Sequence, residues 1–241
     1  MTESVRLAKR VAEVVSCSRR EAEQYIEGGW ILVDGQVIEE PGFRVLPQQM
    51  VERLPDATLI PALPVTILLH KPVGMAIQLA AQHEPACIST ENRIADDRSG
   101  IRFLKRHLTD LSMTDALDAT SSGLMVFTQD WRIKRKLIDE ASRIEQEFIV
   151  DVNGELVPNG LALLNHGLYF NGRPLAPVKV SWQSETRLRF AVKGAQDGQI
   201  AHMCKAVGLR VEAMRRIRIG RMPLAGLPVG QWRYLLGYEQ F

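Results

Sequence analysis

The chain has 241 residues, 46% of them hydrophobic and 24% charged, with 30 Lys or Arg against 28 Asp or Glu, which excludes a disordered segment or a coiled coil and allows one large core or one core with a small appended module. No apolar run approaches the roughly 18 residues of a membrane span, and Met1-Thr2-Glu3-Ser4-Val5-Arg6 lacks a signal peptide's hydrophobic region, so a cytoplasmic protein is expected. Three widely spaced cysteines (Cys17, Cys87, Cys204) and five scattered histidines give neither a disulfide framework nor paired metal-ligand spacing, and no structural metal is expected.

Residues 5–15 carry Leu7, Val11, Val14 and Val15 on one side and Arg6, Lys9, Arg10 and Glu13 on the other, the spacing of an amphipathic helix. Ser18-Arg19-Arg20-Glu21 reads as a capping box opening a second helix to about Glu27. Gly28-Gly29 stops it, and Trp30 to Ile38 reads as a β-hairpin turning at Asp34-Gly35. Arg6, Lys9, Arg10, Arg19 and Arg20 gather at the start of this module and its acids fall mainly later, so an electropositive face suited to phosphates is expected. Five prolines between 41 and 64 mark the module's end and a linker, and the boundary is set near Pro61.

Residues 65–70 form a buried-strand candidate, from which Lys71-Pro72-Val73-Gly74 turns out. Lys71 can meet a phosphate or simply decorate the turn. Residues 78–99 read as a surface loop and 100–108 as helical. A basic helix is expected over 130–140, packing Ile133, Leu137 and Ile138 inward. Strands are expected at 147–152, 187–192 and 215–219, with helices over 158–166 and from an Asp197 cap to Val207. From Ala201 on, seven Lys or Arg face two Glu, which makes a basic surface available. Strands and helices alternate without a doubly wound repeat, so the expected fold is α+β with a mixed, mainly antiparallel sheet flanked by helices.

The chain is organised around residues 115–128. A small polar stretch leads into Leu124-Met125-Val126-Phe127, an apolar run typical of a strand buried on both faces, so Asp118 sits on a loop feeding the sheet core. Locally, two roles stay open for it: a cap for its own turn through the amides of Thr120 or Ser121, or a partly desolvated catalytic acid.

The run from Arg6-Leu7-Ala8-Lys9 through Ser18-Arg19-Arg20-Glu21-Ala22 to Val33-Asp34-Gly35-Gln36-Val37 resembles the S4 RNA-binding domain. That resemblance implies binding of structured RNA by shape and phosphate contact through Arg6, Lys9, Arg19 and Arg20. Leu117-Asp118-Ala119-Thr120-Ser121-Ser122-Gly123-Leu124 resembles the Leu-Asp-x-x-Thr-Ser-Gly-Leu signature of RNA pseudouridine synthases. Lys71-Pro72-x-Gly74, Glu147-Phe148-Ile149-Val150, Gln199-Ile200, Met203 to Gly208 and Arg215-Arg216-Ile217-Arg218-Ile219-Gly220 extend the match, and with the S4 module in front the layout is similar to the RsuA-type ribosomal pseudouridine synthases.

The resemblance implies an S4-like domain over 1–60 and a synthase-like catalytic domain over 61–241. It further implies Asp118 as catalytic carboxylate, Phe148, Gln199, Ile200 and Lys205 as substrate-binding residues, and Lys71 among the RNA contacts. No metal or organic cofactor is implied, the partner is RNA, most simply ribosomal RNA, and a monomer is the default. Phe148 stands where the family has a stacking tyrosine, Ala116 where it has an arginine, and Gln146 where a lysine is common. Gly198-Gln199-Ile200-Ala201-His202 stands for Arg-Gln-Ile-Arg-Arg, one of whose arginines pairs with the catalytic Asp. Lys205, one helical turn beyond Ala201, is the expected replacement for that charge. The alternative is a synthase-like protein that binds RNA without turnover.

Overall fold

The computed structural model describes residues 3–59, 63–77 and 87–241. The boundary expected near Pro61 and the first part of the expected 78–99 loop, residues 78–86, lie outside the described residues.

One compact unit comprises residues 1–64 and 102–109. It contains β1 (Val5–Arg6), α1 (Leu7–Val15), α2 (Arg19–Glu27), β2 (Ile31–Val33), β3 (Gln36–Val37), β4 (Arg44–Val45) and β5 (Val51–Arg53). The capping box forms as its sequence dictates: the Glu21 amide donates to Ser18 Oγ (3.2 Å) and the Ser18 amide to Glu21 Oε2 (2.7 Å). Asp34 (φ 50°) and Gly35 (φ 80°) make the tight turn between β2 and β3, and β5 closes a three-stranded sheet on the other side of β2. Leu7, Val11, Ala22, Ile26, Ile31 and Val45 form the core, each essentially inaccessible.

Residues 100–108 are not the helix their spacing predicts. Only Lys105–Leu108 coil, as a single 3-10 turn, after an extended Leu104. Tertiary contacts override propensity there: Arg102 stacks on Trp30 and the Lys105 amide donates to Glu39 Oε2 at 2.6 Å.

The other unit comprises residues 65–101 and 110–241. Its strands are β6 (Thr66–Lys71), β7 (Ser112–Met113), β8 (Ser121–Thr128), β9 (Glu145–Gly154), β10 (Tyr169–Phe170), β11 (Arg173–Pro174), β12 (Lys179–Ser184), β13 (Arg187–Lys193), β14 (Leu209–Ile219), β15 (Met222–Pro223) and β16 (Trp232–Tyr234). Its helices are α3 (Trp131–Lys134), α4 (Gly160–Asn165) and α5 (Gln199–Ala206).

The main sheet runs β12-β13-β9-β14-β8-β6-β16, with β15 on β14 and β7 on β8. Every pairing is antiparallel except β14 with β8. This is the α+β class with a mixed, mainly antiparallel sheet. β8 lies inside the sheet and all its residues but Ser122 are buried, as its apolar run requires.

Among the described residues, apolar clusters pack against the sheet. One joins Val150, Leu188 and Phe190 to Leu164 of α4 and Ile200 and Met203 of α5. Another joins Leu68, Leu124 and Val126 to Leu137, Ile219 and Leu227.

Three local expectations are corrected. The 130–140 helix changes pitch: α3 passes into a π turn, Arg135–Asp139, and the shifted register leaves Ile138 exposed while Leu137 stays buried. Asp197 does not cap α5; Gly198, at φ 73°, takes the N-cap position with no side-chain bond. Four of the seven C-terminal cations, Arg210, Arg216, Arg218 and Arg233, are tied to carboxylates, which reduces the basic surface expected there to Lys205, Arg215 and Arg221.

Candidate active site

β8 brings the Asp118 loop to the sheet, and the strand's first residues fix how closely. Gly123 has φ 123°, and a Cβ built on it would lie 2.3 Å from the Arg216 main-chain oxygen and 2.5 Å from its nitrogen. Only glycine allows β8 this approach to β14.

Across that contact Arg216 is buried (1% exposed) and makes four hydrogen bonds inside the unit. Nε donates to the Leu124 carbonyl (2.8 Å), Nη1 to Asp115 Oδ2 (2.7 Å) and Gln146 Oε1 (3.3 Å), and Nη2 to the Asp115 carbonyl (3.1 Å). Gln146 Nε2 completes the network by donating to the same Asp115 oxygen at 2.7 Å. Burial pushes the guanidinium below the ordinary arginine range, and the Asp115 charge pulls it back up.

A second buried cation lies beneath the loop. Lys71 is 0% exposed at the end of β6, where its ammonium donates to the carbonyls of Ser121 (2.6 Å), Asp118 (2.9 Å) and Pro72 (3.1 Å). Burial lowers its pKa from the ordinary lysine value and the Asp118 charge raises it. Three carbonyl acceptors call for three N–H donors, which the ammonium form supplies. The Gly74 amide adds a bond to the Ala119 carbonyl at 2.7 Å, so the Lys71-Pro72-Val73-Gly74 turn grips the loop at Asp118 and just after it. Lys71 is therefore no phosphate contact, because its charged end is enclosed by backbone.

The loop itself is closed by main chain, Ser121 N–H donating to the Asp118 carbonyl at 3.1 Å. Among the described residues the Asp118 carboxylate makes no hydrogen bond or ion pair. It does not cap its own turn, and it stands exposed at the cleft mouth rather than partly desolvated.

The cleft, about 60 Å3, is lined by Asp115, Ala116, Leu117, Asp118, Gln146, Phe148, residues 195–198, Ile200, Ala201, Met214 and Arg216. Phe148, from β9, and Ile200, from α5, thus line the same cleft as Asp118. Gln199 does not face the cleft: it is buried, and its Oε1 accepts the Gln196 amide at 3.1 Å. Lys205 is exposed in a separate depression with Asn153, Gly154 and Arg210, so it is not the cation that replaces the missing arginine.

In the first unit Arg6, Lys9, Arg19 and Arg20 are all exposed, and Arg19 pairs loosely with Glu23 (3.4 Å). Sequence reasoning missed the Asp115–Arg216–Gln146 network. The available signals were Arg216, within the strand expected at 215–219, and Gln146, standing where a lysine is common.

Residues 5–51 match the S4 domain family. Over 242 residues the chain is 28% identical to the dual-specificity RNA pseudouridine synthase RluF of Escherichia coli, covering 98% of this chain and 77% of that one. It is 28% identical over 244 residues to an uncharacterized RNA pseudouridine synthase of Mycobacterium bovis, covering 98% and 91%. An uncharacterized RNA pseudouridine synthase of Aquifex aeolicus is 24% identical over 238 residues, with 98% and 94% covered. A crystal structure described as a pseudouridylate synthase shares the fold, with a TM-score of 0.59 over 96% of each chain at 20% identity. With an S4 domain at one end and similarity running through almost all of the rest, the chain is similar over nearly its whole length to RNA pseudouridine synthases.

Proposed function

We propose that the protein converts a uridine in structured RNA, most simply ribosomal RNA, to pseudouridine, with Asp118 as the catalytic carboxylate. The observation that carries the reading is an aspartate with no partner of its own, on a loop gripped from below by Lys71, at the mouth of a cleft floored by Phe148 and Ile200. The S4 unit supplies sequence-tolerant phosphate contact through Arg6, Lys9, Arg19 and Arg20. The proposal places the protein in the cytoplasm as a monomer; among the described residues no helix is long and apolar enough to cross a membrane.

The chemistry is an isomerisation. The bond from ribose C1′ to uracil N1 breaks, the base turns, C5 bonds to C1′, and the C5 proton leaves while N1 gains one. A carboxylate can begin this as nucleophile or base, and the cleft has to hold the extruded base. Phe148 offers a ring face for stacking without the hydroxyl of the usual tyrosine. RNA closing over the cleft would remove water from Asp118, which the free protein leaves solvated.

The test is pseudouridine mapping of cellular RNA after deletion of the gene, with rescue by wild type or Asp118→Asn. One uridine that loses its modification and regains it only with wild type is the expected result. A full map in the deletion strain rejects the reading. The second reading, an RNA binder without turnover, is favoured by one observation: the buried Arg216 pairs with Asp115 rather than Asp118.

A further inference from the structure

At the C-terminal end of β8, roughly 25 Å along the strand from the Asp118 loop, the chain presents a feature the proposed reaction does not use. Trp131 opens α3 with 64% of its surface exposed, although a tryptophan of this size is ordinarily a core residue. The Arg132 guanidinium lies 5.7 Å from its ring centroid.

The ring stands on a firm mount. Asp130 Oδ1 accepts the Arg132 amide at 2.8 Å and caps the helix, and Ile133 and Leu137 anchor it against Leu124 and Val126 of β8. The turn that follows is a π turn, an irregularity frequent at functional sites. The cations nearby are not all neutralised. Arg135 pairs with Glu140 (3.3 Å) and Lys136 donates to the Phe241 main-chain oxygen, whereas exposed Arg132 and Lys134 have no carboxylate partner among the described residues.

We propose that Trp131, Arg132 and Lys134 form a second RNA-binding surface, on which an unpaired base stacks against the indole while the two cations hold the flanking phosphates. This rests on the reading of the protein as RNA-modifying and adds a contact remote from the cleft. A base offers the flat face that an exposed indole with a layered guanidinium is built to meet, and the surplus positive charge complements the backbone. The apolar area is one ring and the half-exposed Ile138, too little for a lipid surface or a stable protein interface.

The test titrates the full-length protein with total ribosomal RNA and with a short oligouridylate, by tryptophan fluorescence and filter binding across a range of salt. It compares wild type with Trp131→Leu, Lys134→Glu and the double change Arg132→Ala, Lys134→Ala. Expected are quenching in wild type that Trp131→Leu abolishes, about tenfold weaker binding by Trp131→Leu, and a salt slope shallower by about 1–2 in the double variant. Tight binding by wild type with unchanged affinity in Trp131→Leu and Lys134→Glu overturns the surface and leaves the proposed function standing. No RNA binding by wild type removes both. Quenching by phosphatidylglycerol vesicles but not by RNA identifies a lipid contact instead and also overturns it.

Discussion

The Lys71 ammonium lies 2.9 Å from the main-chain oxygen of Asp118, across 47 residues of sequence, and bonds the carbonyl rather than the carboxylate. A cation that neutralised the carboxylate would hold the acid itself. One that binds the backbone holds the loop and leaves the acid free for substrate.

Lys71→Met should therefore remove three donors from buried carbonyls and destabilise the fold by about 2–4 kcal/mol, with loss of turnover beyond what unfolding explains. Lys71→Arg should not rescue it, because a planar fork cannot replace three divergent ammonium donors in an enclosed space. Urea unfolding beside a pseudouridine assay checks this; a Lys71→Met protein of normal stability and turnover would contradict it.

Asp115 and Arg216 form the partner network. Asp115→Ala leaves a buried guanidinium uncompensated and should cost about 2–3 kcal/mol, at the low end for a buried pair because Asp115 is itself 34% exposed. Asp115→Asn, which retains an acceptor, should fall between that variant and wild type. Equal denaturation midpoints for all three proteins would show that the network contributes nothing.

Gly123→Ala is expected to be the most damaging conservative change near the site. Its methyl would meet the Arg216 backbone at a distance no Cβ tolerates, at a φ that side chains rarely adopt, so β8 and β14 must separate. A loss of about 3 kcal/mol or more, or failure to fold, should appear in thermal melts; an unchanged melt sinks the argument.

His70 gives a pH signature. Burial lowers its pKa from the ordinary 6.5; the contact of its Nδ1 with the Leu227 carbonyl (2.8 Å) works the other way, and Arg215 adds repulsion to the charged form. Below 6.5 the unfolded chain takes up a proton that the folded chain refuses. The stability from neutral His70 is thus complete above about pH 6.5 and is lost as pH falls toward the depressed folded value. Unfolding free energy should drop between pH 7 and 5, and His70→Leu should flatten that slope; an identical slope in the variant would assign it to other groups.

Much of this was legible from sequence where one physical cue dominates. Ser18 and Glu21 could satisfy each other's amides only as a capping box, Asp34-Gly35 suits a tight hairpin, and Leu124 to Phe127 is too apolar for anything but an interior strand. The reading failed where tertiary contacts decide. Lys71 follows five residues of a buried strand, yet a lysine beside Pro72 reads as a solvated turn because nothing local reveals three carbonyls converging on it. Lys205 and Ala201 do share a helix face, but periodicity gives a direction and not a distance, and Lys205 reaches a different depression. The strand Lys179–Ser184 and the small hairpin of Tyr169–Pro174 went unanticipated because their residues are mostly exposed and carry little apolar alternation.

The parallel pairing of β8 with β14 has a temporal consequence. The Asp118 loop belongs to the first half of the chain, but Arg216, which bonds Leu124 and Asp115, arrives 92 and 101 residues later. While the protein is being made, the loop must wait for β14 to emerge before its support is complete. Any product of interrupted synthesis that stops short of β14 carries an S4 unit and an Asp118 loop held by Lys71 and Gly74 without its Arg216 support.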